Sequence, residues 1–255
     1  MDRLDAAAIA VPGLEVRVVQ RCGSTNSVLM EGAAPASGRA VLLATEEQTA
    51  GRGRRGRRWH TAPGADLAFS LARRIRRPAR ELGALSLVAG VAASRALRLA
   101  GVARVALKWP NDLVIDGAKL GGILVETRGN ASGTHAVFGI GINCRRSPGL
   151  EASLRRRIAS LDEFISPARN ALIRDIAGAL LAALDRFEAL GLQAVRTEWE
   201  AMHAHAGQRL RVRLADGRSI SGIAGGLAED GALRLRTRRG ERSVHSGRII
   251  SASAA

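Results

Sequence analysis

The sequence predicts an α+β protein: a mixed or largely antiparallel sheet with flanking helices, followed by a small β-barrel. Three observations predict it. Residues 105–126 alternate short apolar runs with the turns Pro110-Asn111-Asp112 and Asp116-Gly117, which is the pattern of consecutive hairpins. Two helical periodicities, over 81–100 and 168–190, supply apolar stripes that can cover such a sheet. After Trp199 the pattern changes to short strands separated by Asp216-Gly217 and Asp230-Gly231, the spacing of a small barrel. A boundary near 205 divides the chain into residues 1–205 and 206–255.

In chain order, 15–19 and 40–44 read as strands, the second apolar enough to be buried. Between them Ser24-Thr25-Asn26 precedes an apolar run, as a helix N-cap does. Residues 46–64, polar and rich in Gly and Arg, read as a long loop, and 68–75 as a strand. The first helix carries Leu82, Leu85, Val88, Ala92 and Leu99 on its stripe and ends at Gly101. Strands follow at 105–109, 113–115, 122–126 and 136–143. Leu172, Ile176, Leu180, Leu184 and Phe187 form the stripe of the second helix, with Gly191 past its end. Short strands fill 208–250, and the terminal Ser-Ala-Ser-Ala-Ala is expected to fray.

Composition excludes several classes. The N-terminus has neither the basic start nor the apolar stretch of a signal peptide, and no apolar run approaches the length that spans a bilayer. Cys22 and Cys144 make no disulfide framework and no metal spacing, so the expectation is a soluble cytoplasmic protein. His203 and His205 read as incidental residues at the domain junction. The net charge of +16 is spread along the chain, which makes it weak evidence for a polyanionic partner. The choice of cation says more. Of 39 basic residues only Lys108 and Lys119 are lysines, and both lie in one stretch, KWPNDLVIDGAKL. A chain that otherwise uses Arg marks these two as positions where a compact point charge is needed.

The densest chemical signal is Gly51-Arg52-Gly53-Arg54-Arg55-Gly56-Arg57-Arg58-Trp59. Its glycines let backbone approach a ligand, and its arginines offer forked donors to phosphate or carboxylate. No Gly-Lys-Ser/Thr closes it, so it is not a Walker loop. Alone it equally describes a solvated basic loop or an RNA-binding patch.

Four further segments accompany it: GSTN at 23–26, LKWPNDL at 107–113, KLGGILVE at 119–126 and GIGIN at 139–143. In this order and spacing, with ATEEQTAGRGRRGRRW at 44–59, they closely resemble the catalytic domain of biotin protein ligases over about residues 15 to 200. The resemblance implies a class II aminoacyl-tRNA-synthetase-like catalytic domain and an SH3-like C-terminal domain. It implies ATP and biotin as substrates, biotinyl-5′-AMP as intermediate, Mg2+ accompanying ATP, and the biotin carboxyl carrier domain of a carboxylase as acceptor. It also implies roles. Lys119 matches the lysine between biotin carboxylate and α-phosphate; Arg52 and Arg54 close over the adenylate, Arg54 at its phosphate. Ser24, Thr25 and Gln48 match contacts to the biotin ureido group, while Gly51 and Gly122 match close-approach glycines. Trp59 and Asn143 match positions that stack on and hydrogen-bond to adenine, although Trp59 also suits a core anchor. Ser24-Thr25-Asn26 can equally be a plain helix cap.

Such roles make physical sense. Like unit charges 4 Å apart repel by about 4 kcal/mol at an effective dielectric near 20, and a slim ammonium between them offsets that repulsion. An arginine lid that closes over the mixed anhydride excludes water. For transfer, the acceptor lysine must lose a proton, at a cost of about 4.6 kcal/mol at pH 7. Asp112 is the candidate to draw and orient that amine, with Lys108 as its charge partner or an ATP contact; the alternative is that Asn111-Asp112 only make the turn. No metal ligand is assigned, Glu126 included. The motifs begin at residue 24, which leaves no room ahead for the helix-turn-helix domain some members carry, so neither a repressor role nor DNA binding is expected. No membrane partner is expected, and a homodimer is left open. The rival readings are a lipoate ligase and a nucleic-acid-binding module.

Overall fold

The computed structural model describes residues 2–130, 133–154 and 157–254. After a short helix α1 (Ala6–Ile9), strand β1 (Leu14–Cys22) runs parallel to β2 (Ala40–Gln48), with helix α2 (Thr25–Glu31) between them. The remaining strands of this sheet pair antiparallel: β3 (Leu67–Ile75), β4 (Ala106–Lys108), β5 (Asp112–Ile115), β6 (Ala118–Asn130) and β7 (Gly133–Ile142). The order across the sheet is β1-β2-β3-β7-β6-β5-β4. It is therefore mixed, as the hairpin pattern predicts, with one parallel pair made by a helical crossover.

Helices α3 (Leu85–Leu99) and α5 (Arg169–Leu190) cover one face. The second stripe is buried as expected: Leu172, Ile176, Leu180, Leu184 and Phe187 all lie in the main core, each worth about 2 kcal/mol of burial. Leu99 corrects the first stripe. It sits in the last turn of α3 and is 83% exposed, on the same side as exposed Arg95 and Arg98, whereas Ala96 and Leu97 keep the other side of that turn buried. Residues Ala79–Leu99 also reach the length and apolar composition of a membrane span, contrary to the expectation from sequence; the segment is mostly buried in the protein core. The sheet's other face holds a smaller cluster under α2, with Leu29, Leu43, Ala72 and Val137. Beyond α2 this second face is left for a site.

Arg169, at the start of α5 and 1% exposed, donates to Glu46 Oε2 at 2.6 Å, and Glu46 Oε1 accepts from Leu4 N at 2.8 Å. The pair ties the N-terminal segment, β2 and α5 together. Burial alone raises the Glu46 pKa, but bonds from Arg169 and Leu4 outweigh it and hold the carboxyl below its ordinary value. A depressed carboxyl stabilises the fold above its unfolded value and loses that contribution as pH falls through the folded one. Glu46→Gln is expected to cost about 2 kcal/mol at pH 7. Urea titrations at pH 7 and pH 4 should show the parent losing more stability between them than the variant does.

Helix α6 (Gln193–Ala201) leads into the junction. There Trp199 stacks on His203 with ring centroids 4.6 Å apart, and burial, then the neighbouring His205, pulls the His203 pKa down to about 4. Main-chain bonds from Leu107 N to Met202 O (2.7 Å) and from Ala204 N to Leu107 O (2.9 Å) fasten the junction to β4. Five antiparallel strands follow, β8 (Arg209–Arg213), β9 (Ser219–Leu227), β10 (Leu233–Thr237), β11 (Gly240–Val244) and β12 (Arg248–Ser253), in the order β11-β10-β9-β8-β12. Trp109 Nε1 donates to Gly231 O at 3.3 Å across to this sheet. Residues 251–253, expected to fray, pair with Arg209–Arg211 instead. Helices α1 and α6, together with α4 (Pro148–Leu154), have no counterpart among the predicted elements; each is too short for its periodicity to stand out.

Candidate active site

On the face shared with α2, β7 presents Gly139 and Gly141, with Asn143 just past its end, and β6 presents Leu124 and Gly122 opposite the two glycines, with Glu126 two residues further along. The glycines are there because other groups lie on the backbone. A Cβ at Gly139 would collide with the Asn26 amide, and one at Gly141 with the Trp59 indole. The floor is thus kept flat for side chains delivered by α2 and by the Gly/Arg segment.

That segment corrects the expectation of a long loop over 46–64. Strand β2 runs on to Gln48, and 51–59 folds back on itself. Trp59 N donates to Gly51 O at 2.9 Å, Gly53 N donates to Arg57 O at 2.7 Å, and Arg52 bridges to Arg58. A Cβ on Gly51 would press on Trp59 O at 2.5 Å, so the closure needs glycine there. Arg55 and Gly56 take left-handed φ of 59° and 70° at the tip. Backbone bonds of this kind leave no mark on side-chain pattern.

Lys119 reaches the site through a β-bulge. Between the pairs Leu113↔Gly121 and Val114↔Lys119, β6 carries one extra residue, Leu120. The extra residue reverses the alternation and puts Lys119 on the face of Gly122. Its Nζ lies 2.5 Å from Asp112 Oδ1 and 5.5 Å from the centroid of the Trp59 ring. Both side chains of the ion pair are mostly buried, 19% and 25% exposed. Asp112 is thus the partner of Lys119. Lys108, expected beside Asp112 as its charge partner, is its register neighbour on β4; neither of the two is among the residues lining the cavity, and the Lys108 charge also depresses the pKa of His205, second to burial.

The cavity measures about 310 Å³, a size suited to a small ligand. Of the residues singled out from sequence, Ser24, Thr25, Gln48, Arg52, Arg54, Trp59, Lys119, Gly122 and Asn143 line it. Gly51 faces a second cavity of about 520 Å³ on the other side of the Gly/Arg segment, which Arg52 and Arg54 also border. At the neutral end Gln48 Oε1 accepts from Thr25 N at 2.9 Å, and Ser24 occupies the N-cap of α2 with no side-chain capping bond. At the cationic end Arg54 Nη1 donates to Asn111 Oδ1 at 3.3 Å. Burial, then the charge of Arg55, lowers the Arg54 pKa; an arriving anion relieves both. Trp59 Nε1 is buried without a partner among the described residues. Asn143 spends Nδ2 on Lys119 O and Ala159 O, at 3.2 and 3.1 Å. Leu150, Leu154 and Ile158 supply an apolar wall.

Several participants received no binding role from the sequence, although Asn26, Asn111 and Glu126 lie within its motifs. Ser70 and Asn26 sit beneath the neutral end, Glu126 bonds Arg52, and Asn111 Nδ2 holds the turn to Ile123 O at 2.7 Å. Ser70 has a signal: it is the one hydroxyl in the apolar run Leu67–Ala72. Asp66, buried, accepts from Ala62 N and Cys144 N at 2.8 and 2.9 Å, tying the end of the Gly/Arg segment to β7. Cys144 is fully buried, and burial and then Asp66 push its thiol up to about 12, which disfavours the thiolate form.

An ammonium and two guanidiniums that converge beside a neutral hydrogen-bonding pocket suit a small anionic ligand, and the comparisons with known proteins place the chain among ligases. Residues 21–143 match the model of the Biotin/lipoate A/B protein ligase family, and 205–250 match that of the Biotin protein ligase C terminal domain. The chain is 36% identical over 226 residues to the Bifunctional ligase/repressor BirA of Escherichia coli, covering 88% of this chain and 70% of that protein. It is 34% identical over 240 residues to the Biotin--[acetyl-CoA-carboxylase] ligase of Paracoccus denitrificans, covering 91% and 99%. The solved biotin protein ligase from Aquifex aeolicus, in complex with biotin and ATP, is similar with a TM-score of 0.78 at 26% identity, covering 94% and 99%. The chain belongs to the biotin protein ligase family.

Proposed function

We propose that the protein condenses biotin with ATP to biotinyl-5′-AMP in the 310 Å³ cavity, then passes the biotinyl group to a lysine of a carboxylase's biotin carboxyl carrier domain. The observation that carries this is the position of Lys119 Nζ, inside the cavity between a neutral pocket and an arginine roof, paired at 2.5 Å with Asp112.

Ser24, Thr25 and Gln48 hold the ureido ring, and Gly122 lets the ligand lie against β6, as Gly51 lets the roof close. The biotin carboxylate attacks the α-phosphorus, pyrophosphate leaves, and Lys119 bridges the two anions as charge builds between them. Arg52 and Arg54 cover the adenylate, Arg54 at its phosphate. Trp59 supplies the adenine face, and Asn143, its amide hydrogens committed to backbone, offers Oδ1 to the adenine amine. As Lys119 turns to the anions it releases Asp112, which can then draw and orient the acceptor ammonium for attack on the mixed anhydride. Lys108, the register neighbour of Asp112 on β4, serves as its charge partner or as an ATP contact.

Magnesium enters as part of the MgATP substrate. Among the described residues no group of three His, Cys, Asp or Glu side chains converges, which suits an ion held chiefly by phosphate oxygens. The same reading includes a class II aminoacyl-tRNA-synthetase-like core over 1–205, an SH3-like closure of the five C-terminal strands over 206–255, and work in the cytoplasm, where ATP is supplied. It needs no DNA and no membrane, and a homodimer is compatible with it.

Incubated with biotin and MgATP, the protein is expected to catalyse biotin-dependent exchange of pyrophosphate into ATP. With a carrier domain added, mass spectrometry should show one biotinyl increment on lysine. Exchange that responds to lipoate and not to biotin would replace the substrate.

A further inference from the structure

Thr25, Asn26 and Ser70 form a polar cluster under the neutral end of the cavity, 3%, 3% and 0% exposed. Its hydrogen-bond directions can be deduced. Asn26 Nδ2 lies 3.2 Å from Leu124 O and 2.9 Å from Glu126 Oε2. Both are acceptors, so the amide nitrogen belongs on that side and Oδ1 on the other. Oδ1 is 2.6 Å from Ser70 Oγ, whose single hydrogen is committed to it. Ser70 Oγ must then accept from Thr25 Oγ1 at 2.7 Å, a closer partner than Gln48 Oε1 at 3.2 Å. Every donor points the same way, from the cavity towards the Glu126 carboxylate, which also receives Arg52 of the roof. Thr25 Oγ1, its hydrogen sent inwards, has only lone pairs to offer a ligand. The bare backbone at Gly139 is what admits Asn26 to this chain.

We propose that Glu126, acting through Asn26, Ser70 and Thr25, sets specificity by making Thr25 Oγ1 an obligate acceptor that selects a ligand ring bearing an N–H donor. The inference rests on the biotin reading above and deepens it. A cyclic urea meets the acceptor and extends a chain whose bonds polarise one another. A ring without N–H, such as a dithiolane, leaves a buried acceptor unmatched, the situation in which a polar site discriminates most strongly. Glu126, Asn26 and Ser70 are positioning residues here; of the four, Thr25 is the one that bonds the ligand.

The test is a ligand–protein cycle with the full chain. Dissociation constants are measured for biotin and for biotin methylated at either ureido nitrogen, together with the KM for ATP. The proteins are the parent, Ser70→Ala, Ser70→Thr and Glu126→Gln. Ser70→Ala and Glu126→Gln are expected to weaken biotin by roughly tenfold to a hundredfold. They should also shrink, by roughly tenfold or more, the parent's preference for biotin over one N-methyl isomer, and Ser70→Ala, which leaves the Arg52–Glu126 pair intact, should keep the KM for ATP unchanged. Ser70→Thr, which keeps the hydroxyl, should retain the preference. An unchanged preference in Ser70→Ala and Glu126→Gln overturns the proposal, as does a loss in Ser70→Ala that falls equally on both ligands and on ATP. Glu126 is partly exposed, so its variant gives the answer if Ser70→Ala does not fold. A parent that binds no biotin sinks the functional reading as well, whereas a parent that binds it and variants that are indifferent sink only this inference.

Discussion

Lys119→Ala is expected to lower adenylate formation by about 10²–10³-fold, the usual cost of removing one preorganised group from a developing charge. The lysine is held in three ways: by the bulge at Leu120, by Asp112, and by the Trp59 ring at 5.5 Å. Its Nζ lies 3.1 Å from where a Cβ on Gly122 would be, so there is little width for a guanidinium. Lys119→Arg should therefore fail to rescue, although it keeps the charge. Biotin binding in the absence of ATP should fall much less, because the ureido contacts lie at the other end of the cavity. Single-turnover measurement of biotinyl-5′-AMP separates the two effects. Full activity in Lys119→Ala would remove the central cation from the mechanism.

Gly141→Val is expected to raise the KM for ATP by about a hundredfold, the upper range of overpacking energies. Trp59 lies directly on the Gly141 backbone, and a branched side chain there drives the indole off the sheet. Strand β7 itself should survive, since valine suits a strand and Gly141 pairs on both sides through backbone alone. Biotin affinity without nucleotide is expected to change little. Calorimetric titration of biotin beside the ATP dependence of exchange gives both numbers. Parallel losses in the two would place Trp59 in general packing, the core-anchor alternative, and not at adenine.

The ordered motifs alone locate most of the cavity lining. Gly/Arg composition singles out 51–59, and the scarcity of lysine singles out Lys119. The same scarcity singles out Lys108, which the fold leaves outside the cavity. The difference lies in position across the sheet: Lys108 shares the face of Asp112 but sits on the edge strand β4, whereas a bulge brings Lys119 onto that face beside Gly122, and such pairing is not revealed by sequence neighbours. The roles of Ser70, Asn26 and Glu126 stay hidden for a related reason, although two of the three lie in the motifs GSTN and KLGGILVE. They come from β3, the start of α2 and β6, up to 100 positions apart, and each alone is an ordinary strand or cap residue.

By itself the sequence determined the local chemistry of this protein: where strands turn, which helix faces are apolar, which segments are rich in donors. Those properties follow from side chains and their immediate neighbours, so they are written in order along the chain. Only the tertiary structure decided which donors face one another, how Lys119 came to be paired with Asp112, and in which direction the buried hydroxyls point. Those outcomes depend on distances of 2.5 to 2.9 Å between residues that the sheet brings together, and such distances exist only after the sheet has closed.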